Sequence, residues 1–142
     1  MARQILLADN AGLADAVFML LERMSNAPEL VAISDGMEAT VAFTKMIASG
    51  RPPAIVVLDE SIPRITGRAM VRTFRSIERA FSQPSTPVLL YSSSPADASM
   101  KSFLSEVGRA VHLARPIDKP MEEQARRFVL ATRKLISQVN KA

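Results

Sequence analysis

Groups that carry oxygen or charge stand at the ends of the apolar runs of this chain. In VVLDESIPRITG, residues 56–67, Val56, Val57 and Leu58 could line a buried strand and lead straight into Asp59 and Glu60; Pro63 and Gly67 then mark a turn. Three further runs end comparably. ILLA stops at Asp9 and Asn10, PVLLY at Ser92, Ser93 and Ser94, and VHLA at Arg115 and Pro116. Carboxylates with an amide oxygen suit a hard cation such as Mg2+, which takes oxygen ligands and keeps several waters. A hydroxyl and an arginine can hold the oxygens of an anion. Together they suit phosphoryl handling, in which cations neutralise the transferring group while a carboxylate acts as nucleophile. Each residue type alone is a common turn former. The agreement of four separate run ends is what favours chemistry.

The elements that must position these groups follow from periodicity. Ile5 to Ala8, Ala54 to Leu58, Val88 to Tyr91 and Val111 to Ala114 read as buried strands, with a weaker fifth at Leu30 to Ile33. Leu13, Val17, Leu20, Leu21 and Met24 have the spacing of a one-faced helix, and similar patterns predict helices at 36–49, 67–81, 96–107 and 119–140. The last carries Phe128, Val129, Leu135, Ile136 and Val139 as its apolar stripe. Strands without polar alternation belong to a sheet covered on both faces, and strand–helix alternation requires parallel strands with right-handed crossovers. The expected fold is a doubly wound α/β sandwich, whose ligands bind at the carboxyl ends of the strands where strand order reverses.

Composition narrows the partners. A chain of 142 residues is long enough for one domain with its own core and needs no disulfide staples. No apolar run reaches the length of a membrane span, and the N-terminal MARQILLADN is too short in apolar residues for a secretory signal. The absence of cysteine fits a reducing cytoplasm, the expected location. A net charge of +4 favours anionic partners without implying nucleic acid or membrane, and one Tyr with six Phe and no Trp offers little for base stacking.

The chain resembles the receiver domains of two-component response regulators over essentially residues 3–138. LDESIPRITG carries the most specific match: Asp59, then Pro63 four residues on, then Gly67 four further. ILLADN resembles the family's first strand and acidic pair, PVLLYSSS the fourth strand with its hydroxyl residue, and VHLARPI the fifth strand with its basic residue and proline. The resemblance implies one receiver domain over residues 1–142, with a flavodoxin-like five-stranded parallel sheet in the order 2-1-3-4-5 and five helices. It implies Asp59 as phosphoacceptor, Ser92 and Arg115 as the groups that meet the phosphoryl oxygens, and Ser92 with His112 as the switch. Mg2+ would be held by Asp9, Asn10, Asp59 and the backbone of Ser61. The family's second acid is missing: either Asp9 takes the first place and Asn10 the second, or the segment is shifted by one residue. Weaker Mg2+ binding is expected in both cases. Arg115 stands at the family's lysine position, where a planar fork replaces a point charge, and the bond from Arg115 to Pro116 is expected to be cis, as in the family. Ser61 and Ser94, two residues after Asp59 and Ser92, stand where the family tunes phosphoryl lifetime.

Arg68, Arg72, Arg75 and Arg79 fall within about 60° of one another on a helix, opposite Met70, Phe74, Ile77 and Phe81. The arginine side is expected to face outward. It is either a solvated face partly neutralised by Glu78 or a neighbouring helix, or a docking surface for an acidic protein or, as the lesser option, nucleic acid.

The function expected is that of a stand-alone receiver, not an enzyme. It would take a phosphoryl group on Asp59 from a histidine kinase or phosphotransfer protein and signal to a downstream protein partner, with no membrane and no nucleic acid involved. The alternative is a pseudo-receiver that keeps the fold as an interaction module without phosphorylation. An enzyme on this fold would need a general acid–base and a substrate pocket, which the sequence does not offer.

Overall fold

The computed structural model describes residues 4–9, 12–24, 28–62, 64–115 and 118–140, the side chains of 136 and 138–140 excepted. Strands and helices alternate along the chain. They are β1 (Gln4–Ala8), α1 (Leu13–Glu22), β2 (Glu29–Ile33), α2 (Gly36–Ala48), β3 (Ile55–Asp59), α3 (Gly67–Ala80), β4 (Val88–Ser92), α4 (Ala98–Val107), β5 (Ala110–Ala114) and α5 (Met121–Asn140). The five strands form one parallel sheet in the order β2-β1-β3-β4-β5. The expected doubly wound fold and strand order are those observed, with element ends shifted by one or two residues.

Position in the sheet explains how legible each strand is. Central β3 is buried at all five residues, whereas the edge strands β2 and β5 leave residues partly or fully exposed. An edge strand is covered less completely, which is why Leu30 to Ile33 gives the weaker apolar signal.

The pleat sends alternate residues to two cores. Leu6, Ala8, Val56, Leu58, Val88 and Leu90 meet Ala39, Phe43, Ile47, Met70, Phe74, Met100 and Phe103 of α2, α3 and α4. Ile5, Leu7, Ile55, Val57, Leu89 and Tyr91 meet Leu13, Val17, Leu21, Ala125, Phe128 and Val129 of α1 and α5. The rings of Phe43 and Phe74 stack with centroids 4.1 Å apart, joining α2 to α3. Ile136 and Val139, expected on the apolar stripe of α5, have side chains outside those described. No helix among the described residues is long and apolar enough to cross a membrane.

Helix starts are chemically marked. Asp35 accepts from the Met37 and Glu38 amides at the start of α2, and Asp97 from the Met100 amide at the start of α4. The cap at Asp97 is why α4 begins at Ala98 instead of 96. Thr66 caps α3 through the Ala69 amide.

One expectation about α3 is overturned. Arg75 does not share the outward arginine face; it is 5% exposed and buried beside Glu78, which is 1% exposed. Its Nη1 donates to Glu78 Oε1 at 2.8 Å, its Nε to Val107 O at 3.1 Å, and its Nη2 to Thr86 O at 3.0 Å and Gly108 O at 2.8 Å. Glu78 Oε2 in turn accepts from the Thr86 amide. A helical wheel treats the helix as bare, but the end of α4, the turn into β5 and Thr86 ahead of β4 lie against this side of α3 and supply the carbonyls. Arg72 and Arg79 do face outward: Arg72 pairs with Glu106 of α4 at 3.2 Å, and Arg79 donates to Ser76 Oγ at 3.2 Å. Phe81, expected on the packed side, lies just past the helix end and is 44% exposed.

Removing one partner of a buried, fully bonded ion pair leaves the other charge uncompensated, whereas an exposed pair contributes little. Arg75→Met is therefore expected to lower stability to urea by about 3–5 kcal/mol, and Arg72→Ala by no more than about 1 kcal/mol. Adding Glu78→Gln to Arg75→Met should recover much of the loss; equal effects of the two single substitutions would contradict the buried pair.

Candidate functional site

Strand order reverses between β1 and β3, since β2 lies on the far side of β1 while β4 and β5 continue beyond β3. The crevice this creates opens at the carboxyl ends of β1 and β3, where Asp9 and Asp59 stand. Ala8 pairs with Leu58, so the two acids follow as the next residues on adjacent strands. Both are buried, at 5% and 4% exposure.

Asp59 is held from one side. Its Oδ1 accepts from the Ser61 amide at 3.0 Å and from Ser61 Oγ at 2.9 Å, a turn closed by the side chain itself. Among the described residues no donor reaches Oδ2. Gly67 lets the turn fold back on the strand: a Cβ there would lie 2.6 Å from Leu90 Cδ1 and 3.0 Å from Glu60 Cα. Pro63 lies outside the described residues. Arg64, next in the turn, has φ 74° and pairs through Nε with the α2 cap, Asp35, at 2.9 Å.

Glu60 points away from Asp59. It bonds Arg68 Nε at 3.0 Å, and Arg68 Nη1 continues to Ser99 Oγ of α4 at 2.9 Å. Burial pushes the Glu60 carboxyl above its ordinary range, against the pull of Arg68. The Arg68 guanidinium also lies 5.9 Å from the centroid of the Phe103 ring, and that of Arg72 at 5.0 Å. Arg68 thus links Glu60, the residue after Asp59, to α4, a contact that an outward-facing stripe did not anticipate.

Asp9 is engaged on both oxygens. Oδ2 accepts from the Leu13 amide at 3.0 Å, serving the otherwise uncapped start of α1, and Oδ1 accepts from the hydroxyl of Tyr91. Tyr91 is 2% exposed, and burial reinforced by the Asp9 charge holds its phenol far above the usual range, so it stays a donor. Sequence reasoning took Tyr91 only as a strand residue. The available signal was a hydroxyl in an otherwise aliphatic strand, since a buried tyrosine needs a partner for its OH.

Arg115 leaves β5 on the same face. Its Nε donates to Gln124 Oε1 at 2.6 Å and its Nη2 lies 3.9 Å from Met121 Sδ, while Gln124 Nε2 bonds Lys119 O at 2.8 Å. The guanidinium is drawn to α5, with its charge felt at Tyr91. Asn10 and the bond from Arg115 to Pro116 lie outside the described residues.

The oxygen donors present fit a hard cation. Two buried carboxylates stand together at the switch point, and among the described residues one oxygen of Asp59 lacks a donor. Among the described residues no group of three acidic, His or Cys side chains assembles. The set suits Mg2+ held by few protein oxygens and completed by water.

Ser92 and His112 meet on the opposite face. Ser92 Oγ donates to Ser94 O at 2.9 Å and lies 2.9 Å from His112 Nε2, so the serine is turned to the imidazole. His112 pairs in register with Leu90, one pleat from Ser92. Burial, then the Arg68 charge, lowers the His112 pKa, with Asp97 opposing. A histidine whose folded pKa lies below its unfolded value contributes stability that is present above the unfolded pKa and lost as pH falls through the folded one. Acidification below about pH 6.5 is therefore expected to destabilise the protein through this residue. Urea denaturation of wild type and His112→Gln across this range should show the difference between them narrowing as pH falls; a pH-independent difference would exclude it.

No family model matches the chain, and no curated protein matches it. Solved structures do. The receiver domain of the histidine kinase CKI1 from Arabidopsis thaliana, complexed with Mg2+ and BeF3−, aligns with a TM-score of 0.74 at 16% identity over 96% of this chain and 90% of that one. The phosphorylated cyanobacterial phytochrome response regulator RcpA aligns with a TM-score of 0.68 at 18% identity, covering 89% of each chain. Chemotaxis protein CheY4 of Vibrio cholerae aligns with a TM-score of 0.64 at 19% identity over 93% of this chain and 98% of that one. The order of the sheet, the two-sided helical cover and these alignments agree: the chain has the fold of the response-regulator receiver domains.

Proposed function

We propose that the protein is a receiver-type signalling module that accepts a phosphoryl group on Asp59 in the cytoplasm. The observation that carries this reading is the state of that carboxylate: buried at the end of the central strand, beside Asp9 at the switch point, and fixed through Oδ1 so that Oδ2 is left to react. The structural likeness to a Mg2+ and BeF3− complex and to a phosphorylated regulator supports it.

In this reading Asp59 Oδ2 attacks the phosphorus of a phosphohistidine on a histidine kinase or phosphotransfer protein. The new P–O bond forms as the P–N bond breaks, and the imidazole of the donor leaves with the electron pair and takes up a proton. Mg2+, bound by Asp59 and Asp9 with Asn10 and the Ser61 backbone as further oxygen donors, would supply neutralisation of the phosphoryl oxygens. Arg115 and Ser92 answer the new dianion by leaving their present partners, Arg115 from Gln124 and Ser92 from Ser94 O and His112. Freed from Ser92, His112 can reorient at the α4–β5 face, which turns a local charge into a surface change readable by a protein partner. Ser61 and Ser94 border the acceptor and Ser92, and small polar side chains there admit hydrolytic water. Exposed Arg72 and Arg79 are the members of the arginine stripe offered to an acidic partner; Arg75 is withdrawn into the α3–α4 joint.

A second reading has its own observation. Asp9 spends both oxygens on Leu13 and Tyr91, and Arg115 is bonded to α5. A site so occupied also fits a pseudo-receiver that uses the fold for binding alone.

The two readings separate on one experiment. Mg2+ with acetyl phosphate should give a phosphoryl mass adduct on wild type and none on Asp59→Asn, and Mg2+ with beryllofluoride should shift the amide resonances of Ser92 and His112. Neither adduct nor shift at millimolar metal would leave the pseudo-receiver as the function.

A further inference from the structure

We infer that Tyr91 competes with the metal for Asp9 and thereby sets how readily the site takes a divalent cation. The inference rests on the reading of Asp59 and Asp9 as a Mg2+-dependent phosphoacceptor site and adds to it a positioning residue.

Geometry carries the argument. The pleat places Tyr91 on the face of Asp9 and Asp59, in register with Asp59, while its ring fills the core against α1 and α5. From there its hydroxyl reaches Asp9 Oδ1, and the Leu13 amide takes Oδ2. Both donors are fixed: Leu13 opens α1 and is 3% exposed, and Tyr91 is 2% exposed with a core-packed ring. A carboxylate presents about four lone-pair positions, and two rigid donors use those on two different oxygens. A hydrogen bond from a buried hydroxyl to a carboxylate belongs to the stronger class, since water is excluded and the acceptor is charged. A cation that takes Asp9 must share Oδ1 with this hydroxyl or displace it. Asp59 differs in kind, because its donors converge on one oxygen and leave the other. The two acids are therefore unequal: Asp59 is ready for a ligand and Asp9 is held in reserve.

The chain contains its own probe. Tyr91 is the single Tyr and there is no Trp, so ultraviolet tyrosine emission reports one residue. A phenol hydrogen-bonded to a carboxylate has quenched emission, and loss of that bond brightens it. Titration of the wild-type protein with MgCl2, against NaCl at matched ionic strength, should raise the emission saturably. In parallel, amide shifts near Asp59 give the Mg2+ affinity of wild type and of Tyr91→Phe, which keeps the ring and removes the hydroxyl. The variant should bind Mg2+ about tenfold more tightly, the scale of one charged hydrogen bond. Mg2+ shifts with equal affinity in the two proteins and no change in wild-type emission would overturn the role of Tyr91 while leaving the phosphoacceptor reading intact. Absence of Mg2+ shifts in both proteins would overturn both. The wild-type emission titration stands by itself where Tyr91→Phe fails to fold.

Discussion

The pleat of the sheet is the constraint on which the site depends. Successive residues of a strand point to opposite faces, and the parallel register keeps that parity from strand to strand. Ile5, Leu7 and then Asp9, Ile55, Val57 and then Asp59, and Leu89 and then Tyr91 all project to the side of α1 and α5. Leu90 and then Ser92, with His112 in register, project to the side of α3 and α4. Arg115 falls on the first parity and is accordingly found with Met121 and Gln124 of α5. The rim therefore has an acidic half and a hydroxyl–imidazole half, separated by the thickness of one backbone. Register is not free to slip, because a shift by one residue would send Asp59 into the aliphatic core of the other face.

That parity also explains what could be read from the residues alone. Unbroken apolar runs announced the central strands, and the polar groups at their ends announced the rim, since both are properties of single segments. Partners across the fold were another matter. Arg75 lies within the angular sector of Arg72 and Arg79, and nothing in that periodicity tells that carbonyls of the α4–β5 turn wait on its side. Tyr91 and Asp9 are 82 positions apart, so their bond exists only once β1, β3 and β4 are placed side by side. The resemblance located Asp59, Ser92, Arg115 and His112 by position, and their present partners follow from the face each occupies.

The two halves are stabilised by different means. On the acidic half, hydrogen bonds to Asp9 and Asp59 come from a helix amide, a turn amide and hydroxyls, so buried charge is met by fixed dipoles. On the other half, Glu60 meets a full positive charge in Arg68, which also reaches Ser99 and lies beside the Phe103 ring. The first arrangement leaves Asp59 Oδ2 without a donor among the described residues; the second ties the β3–α3 loop to α4. The end of β3 is thus joined to α4 through Glu60, Arg68 and Ser99.

The partners of Arg75 give the α3–α4 joint a particular tolerance. Apart from Glu78 they are main-chain carbonyls, those of Thr86, Val107, Gly108 and, at 3.5 Å, Arg109. Backbone oxygens are present whatever side chain stands there, so these bonds do not themselves depend on the side chains of Thr86 and Val107. The side-chain requirement of the joint falls on Arg75 and Glu78, and Gly108 is held to glycine by its φ of 67°, so two distant homologues could share this junction while differing at Thr86 and Val107.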